Sequence, residues 1–303
     1  MKLPFFCLCM ILLAVACKKD QDIPATDKNT TLPTTVYFYS STDTTAGYVA
    51  YDTISYFRIN KMATVTRHFT AAPADSIEYS FMYYNDHSVS DFMAISRTSK
   101  QPWFRIYRFE YNYDWKLDKM VYYNEANKAT FNLTYDSNGY LHAYTSSFTR
   151  TNGDSIPGGM PYAKGVYYRS SNGGLDSIVT GVYAGEKKGD EMLFNTMAFK
   201  LNTHEALAAG AIDRSYLLCL SSYADFYLMS ADFNYFLQQF FNGNDLSVFR
   251  SGTYQGLGFN NRPIDFTAVL NEDKSVQWIM NPGMINKTGW VMAKLVYGKV
   301  NYL

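Results

Sequence analysis

Four histidines, His68, His87, His142 and His204, are the first residues to weigh for chemistry, because a neutral imidazole can ligate a metal or act as a general base. They are scattered: no two stand at HxH or HExxH spacing, and His204-Glu205 lacks the second histidine that a zinc helix needs. No GxSxG turn presents a nucleophilic serine. Pro157-Gly158-Gly159-Met160-Pro161 has no GK[ST] ending and reads as a loop, not as a phosphate cradle. The sequence therefore nominates no catalytic residue, no metal ligand and no cofactor. Two carboxylates facing one another could hydrolyse a glycosidic bond, and Glu78, Glu110 and Glu191 lie in or beside strand-like runs. A polysaccharide hydrolase is thus the alternative to a non-catalytic protein. Trp103, Trp115, Trp278 and Trp290, with 27 tyrosines around them, could stack on sugar rings. The same side chains also serve core and cross-strand packing.

The elements that would position these groups are mostly strands. Over 303 residues the hydrophobic share is 47%, aromatics reach 17%, and 27 basic residues balance 27 acidic ones. Zero net charge with so many aromatics excludes a disordered chain and a polybasic nucleic-acid binder. From Val36 onward, short aromatic and β-branched runs alternate with polar turns, as in Phe131-Asn132-Leu133-Thr134-Tyr135. Met120-Val121-Tyr122-Tyr123 is apolar or amphipathic on both faces, which suits a sheet with one face partly wet. One module recurs: a strand ending in Tyr and a polar residue, a tight turn, then an apolar residue opening the return strand. It is read at Tyr113-Asp114-Trp115-Lys116-Leu117, at Tyr135-Asp136-Ser137-Asn138-Gly139-Tyr140-Leu141 and at Tyr168 to Ile178, with weaker copies from Tyr56, Tyr83 and Val269. Asn138-Gly139 supplies the positive φ that such a turn requires. Residues 204–242 break this texture with apolar positions at helical spacing, Asp232 as a cap and Asn242-Gly243 as a stop, predicting a short helical insertion over the sheet. The expected fold is mainly β: a curved antiparallel meander, a large open sheet or partial barrel, forming one domain over 36–303.

The N-terminus predicts placement. Lys2 precedes an uncharged apolar run over residues 3–16, too short for a membrane span of roughly 17 to 25 residues. Leu13-Ala14-Val15-Ala16-Cys17 resembles the bacterial lipobox, which implies that 1–16 is a lipoprotein signal peptide and that Cys17 is acylated. Two acyl chains already anchor a protein stably. Cys219 alone remains for the mature domain and reads as a buried thiol. Lys18-Lys19-Asp20-Gln21-Asp22 resembles the export signal of Bacteroidota surface lipoproteins, and residues 17–35 read as the lipidated Cys and a flexible tether.

The turn at 135–141 is similar to the YD repeat of bacterial surface proteins, and the layout resembles Bacteroidota lipoproteins with YD-like β-hairpin repeats. That resemblance implies a large curved sheet at the outer membrane, facing the cell surface, and no activity. Asp-Ser/Thr followed by an apolar or β-branched residue resembles the O-glycosylation motif of exported Bacteroidota proteins; it falls at Thr44, Thr53, Ser76, Ser155 and Ser177. Asp beginning a strand would produce the same pattern. The expected partners are the membrane, through the lipid anchor, and a glycan or an envelope protein, with no nucleic acid.

Overall fold

The computed structural model describes residues 32–57, 60–84, 88–98, 102–150, 152–153, 162–169, 175–183, 191–200, 214–221, 251–256, 259–264, 267–272, 275–280, 289–300 and 302–303. Among the described residues seventeen strands follow in order: β1 Leu32–Tyr39, β2 Ala50–Tyr56, β3 Met62–Phe69, β4 Ala72–Tyr83, β5 Val89–Arg97, β6 Trp103–Tyr111, β7 Leu117–Tyr123, β8 Asn127–Tyr135 and β9 Leu141–Arg150, then β10 Tyr162–Arg169, β11 Leu175–Tyr183, β12 Glu191–Lys200, β13 Ser251–Gly256, β14 Phe259–Ile264, β15 Thr267–Leu270, β16 Val276–Met280 and β17 Met292–Gly298. A helix, α1 Arg214–Ser221, lies between β12 and β13. Of the helical insertion expected over 204–242, α1 is the part that is described; Asp232 and Asn242-Gly243 lie outside the described residues.

Each strand from β1 to β14 pairs antiparallel with the next, and so do β15, β16 and β17. β1 also pairs with β17, so the first and last strands lie side by side. The sheet is an open antiparallel meander. β1 begins at Leu32, within the segment read as tether. The correction has a simple cause: Thr35 and Val36 are β-branched and find partners on both sides, Val296 and Leu295 of β17 and Thr53 and Asp52 of β2.

Period-two alternation puts one face of the strands in the core. Val36, Phe38, Ile54, Val65, Ile77, Tyr79, Phe81, Phe92, Tyr107, Phe109, Met120, Tyr122, Phe131, Leu133 and Tyr144 are all buried there. Phe92 bridges Phe81 and Tyr107 at ring separations of 5.0 and 5.3 Å. Each such ring contributes about 1.5–3 kcal/mol through apolar burial. α1 packs on this inner face, with Tyr216, Leu218 and the Cys219 thiol all buried.

One turn geometry recurs along a single rim. Tyr56/Met62, Tyr83/Val89, Tyr111/Leu117, Tyr135/Leu141 and Leu270/Val276 each pair across a register shift, always six residues apart. The residue after the first member donates its amide to the carbonyl just before the second, as in Phe57 to Lys61, Asn112 to Lys116 and Asp136 to Tyr140. The fourth position after the Tyr has positive φ: Asn60 59°, Trp115 57°, Gly139 82°. At the first position, Asp136 Oδ1 accepts from the Asn138 and Tyr140 amides, and Asn112 Oδ1 accepts from Asp114 and Lys116. The copy read from Tyr113 is corrected accordingly: Asn112 caps the turn, Tyr111 ends the strand, and Tyr113 is fully exposed.

The Tyr of the module has its own task. Tyr83, Tyr111 and Tyr135 donate their phenol protons to the carbonyls of Met62, Val89 and Leu117, the apolar residue that opens the preceding strand. Tyr56 to Pro33 and Tyr297 to Val276 repeat the bond on either side of the β1–β17 junction. Every such bond closes the open end of a hairpin whose turn is at the opposite rim, and each is worth about 1 kcal/mol.

Candidate functional site

Around the β1–β17 junction the two faces of the sheet carry unusual side chains. On the inner face, Asp52 of β2 and Arg67 of β3 stand directly opposite each other. They form a two-pronged ion pair, Nε to Oδ1 and Nη2 to Oδ2, both 2.7 Å, with both side chains wholly buried. Tyr216 of α1 donates to Asp52 Oδ2 at 2.6 Å, and Arg67 Nη1 reaches the Cys219 carbonyl at 3.4 Å. Burial, then the charge of Asp52, pushes the Tyr216 phenol well above the ordinary tyrosine value, so it stays a donor. The guanidinium lies 4.8 Å from the Phe38 ring, 5.0 Å from Trp290 and 5.2 Å from Tyr79. With its charge matched and three of its donors bonded, Arg67 and its partners hold α1 against the sheet.

The outer face of the same strands carries a row of aromatic side chains. Trp278 on β16, Lys294 on β17, Tyr37 on β1, Tyr51 on β2 and His68 on β3 stand opposite one another in unbroken register. Their orientation follows from alternation, since the neighbours Ile279, Ala293, Phe38, Ala50 and Arg67 all point inward. Tyr51 stacks on His68 at 4.7 Å and lies 6.2 Å from Tyr37. Lys294 Nζ stands 5.2 Å from the Trp278 ring, and Tyr39 is 6.1 Å from Trp278 on its other side. Tyr48, from the loop before β2, completes the cluster at 4.8 Å from Tyr37 and 5.7 Å from Tyr51, and is 40% exposed. Partial burial, with Tyr37 and Tyr48 beside it, raises the Tyr39 phenol, so Tyr39 is a neutral hydroxyl donor at physiological pH. The next outward row is Val296, Thr35, Thr53, Thr66 and Glu78, mostly β-branched hydroxyls.

Of the four tryptophans, Trp278 belongs to this row. Trp290 packs inward, stacked on Phe38 at 4.3 Å. Trp103 is half-buried on β6 opposite Ser96, with the Arg105 guanidinium 4.6 Å from its ring. Trp115 is exposed in the β6–β7 turn, 6.3 Å from Tyr111. The four therefore do not converge. Tyr37, Tyr39, Tyr48, Tyr51, His68 and Lys294 were not nominated from sequence. The legible signal is Val36-Tyr37-Phe38-Tyr39, apolar or aromatic on both faces; the pairing that assembles the row joins the two ends of the domain.

The carboxylates considered for hydrolysis are placed apart. Glu78 on β4 pairs with Arg97 at 3.0 Å and Glu110 on β6 with Lys119 at 2.9 Å, both on the outer face with β5 between them. Glu191 lies in β12. Thr44 sits in an exposed 3-10 turn, Thr44–Ala46, where the Asp43 carboxylate is held low by the Thr45 hydroxyl and then its amide. Thr53 is exposed on the outer face of β2, and the Asp52 before it is paired with Arg67 on the inner face. Ser76 lies on β4 opposite His68 and Arg97, Ser177 in β11, and Ser155 outside the described residues. Among the described residues there is no cluster of three metal-ligating side chains, and no helix is long and apolar enough to cross a membrane.

No model of a known protein family and no curated protein matches the chain. Solved structures similar to it include a porin-like protein from Bacteroides uniformis, 10% identical over 88% of this chain and 96% of that one, with a TM-score of 0.47. A porin-like protein from Bacteroides vulgatus is 12% identical over 89% of this chain and 100% of that one, with a TM-score of 0.37. The Photorhabdus luminescens Tc holotoxin pore aligns over 77% of this chain but 12% of its own, at 7% identity and a TM-score of 0.31. A likeness at this level leaves the functional reading to the geometry.

Proposed function

We propose that this chain is a non-catalytic lipoprotein of the outer membrane, anchored by acyl chains on Cys17 and facing the cell surface, whose outer sheet face binds a glycan. The observation that carries the binding role is the outward row Trp278, Lys294, Tyr37, Tyr51 and His68. Apolar rings placed on the wet face of a sheet gain nothing from the core, whereas they can cover the apolar face of a sugar while phenol and threonine hydroxyls meet its own. Anchoring through lipid, and not through the sheet, is supported by the outer face of β4–β7. It carries Arg97, Glu78, Arg108, Asp91, Lys119 and Glu110 as ion pairs, where a wall facing lipid would be apolar.

Two measurements test this. Palmitate should label the wild type and not Cys17→Ala in growing cells, and protease added to intact cells should remove the domain; an unlabelled wild type would reject the anchor. On a panel of envelope and plant polysaccharides, Tyr51→Ala should lose retention that the wild type shows, and a wild type that binds no member of the panel would reject the binding role.

A further inference from the structure

We infer that the outward row takes an acidic oligosaccharide, a chain of uronate-type sugars laid across the strands, with a carboxylate on Lys294 and ring faces against Trp278, Tyr37 and Tyr51. This rests on the glycan-binding reading above and narrows it by charge. The outward cations of β5 to β7 have carboxylate partners, Arg97 with Glu78, Arg108 with Asp91 and Lys119 with Glu110, whereas Lys128 on β8, 5.6 Å from the Tyr123 ring, and Lys164 on β10 have no ion pair among the described residues and stand outside the aromatic row. Lys294 has no ion pair among the described residues and is set between the Trp278 and Tyr37 positions, its ammonium 5.2 Å from the Trp278 ring.

An aromatic face neutralises an ammonium only in part, and the ammonium's donors need acceptors. Asp43, in the loop that carries Tyr48, and Glu78, in the next outward row, are already engaged. Asp43 accepts from Thr45, and Glu78 is held by Arg97. A neutral sugar would use the rings and hydroxyls and leave the Lys294 charge unanswered; a uronate answers it with the carboxylate while keeping a ring face for stacking. Because the row crosses strands about 4.8 Å apart, it offers side chains at successive points along an extended polymer instead of a single enclosed pocket.

Titration calorimetry on the full acylated chain in a non-ionic detergent decides the matter, with hexagalacturonate, cellohexaose and inorganic polyphosphate as probes. Hexagalacturonate should bind, and more tightly than the other two. Lys294→Gln should weaken it about tenfold, the worth of one charge-assisted hydrogen bond, and Trp278→Ala about three- to tenfold, with the urea midpoint of both variants unchanged. Cellohexaose binding as tightly as hexagalacturonate and indifferent to Lys294→Gln would overturn the acidic preference and leave the glycan reading standing. Polyphosphate matching hexagalacturonate would overturn it as well, since charge alone would then suffice. If neither sugar binds, the glycan reading falls with it.

Discussion

Two stretches of this one sheet distribute their side chains in opposite ways. On β5–β7 the division is ordinary: Phe92, Tyr107, Phe109 and Tyr122 point inward, while Asp91–Arg108 and Glu110–Lys119 pair across strands in water. On β2 and β3 it is inverted, with Asp52 and Arg67 sealed inside and Tyr51 and His68 stacked outside. Residues adjacent in sequence, 51 and 52, 67 and 68, thus carry the reversal. The inner pair has a reason in the fold, because α1 is seated on it through Tyr216. The outer pair has no such counterpart among the described residues, which is what supports the proposed binding surface.

The largest expected effect separates the two ion pairs. Asp52→Ala strands a wholly buried guanidinium and should cost about 3–5 kcal/mol. The Phe38, Tyr79 and Trp290 rings around Arg67 offset only part of that loss. Urea unfolding of the variant reads the effect directly. A loss below about 1 kcal/mol would mean that water reaches Arg67, and the contrast between the two regions would disappear.

Much of the rim was readable beforehand, and the reasons are local. Asp136, Gly139 and Leu141 act within seven residues of chain: a carboxylate caps two amides, a glycine takes φ of 82°, and an apolar residue reopens the strand. Trp115 takes the same backbone conformation without a glycine's freedom, so the copy around it was misaligned by two residues. Likewise Phe131 and Leu133 showed their buried face by alternation alone. The candidate site was not legible in this way. Trp278 and Tyr37 are 241 positions apart and meet only because β17 lies between β16 and β1. Nor does the pattern reveal Arg67 as an inward residue, since a charge at a core position is intelligible only once Asp52 faces it.

A middle-sized effect asks whether the two regions share a common frame. Tyr56 closes the hairpin of the inverted region and Tyr111 that of the ordinary one. Tyr→Phe at each should cost about 1 kcal/mol, and unequal losses would show that the inversion extends to the rim. Burial, with the nearby phenols of Tyr135 and Tyr84 adding to it, pushes the Tyr111 phenol above its ordinary value of 10.0. The folded state therefore keeps a proton that the unfolded chain releases. The resulting stability is fully present below about pH 10 and is lost as pH rises above it. Tyr111→Phe should accordingly show a shallower fall in urea midpoint from about pH 9 to about pH 11 than the wild type.

The smallest effect is the most discriminating for the outer face. Asp91 and Arg108 meet at 3.0 Å, yet the arginine is more than half exposed, so solvent screens most of the attraction. Asp91→Ala should cost less than about 1 kcal/mol, and added salt should shrink even that. The carboxylate nonetheless raises the Arg108 guanidinium first by hydrogen bonding and then by charge, so its removal leaves an unpaired outward cation on β6. That is the condition in which Lys294 already stands, but without Trp278, Tyr37 and Tyr51 beside it. If hexagalacturonate then bound at β6 as tightly as at the aromatic row, an unpaired charge would be the whole of the recognition. With the rings required, Asp91→Ala should leave the calorimetric stoichiometry and affinity as they are in the wild type.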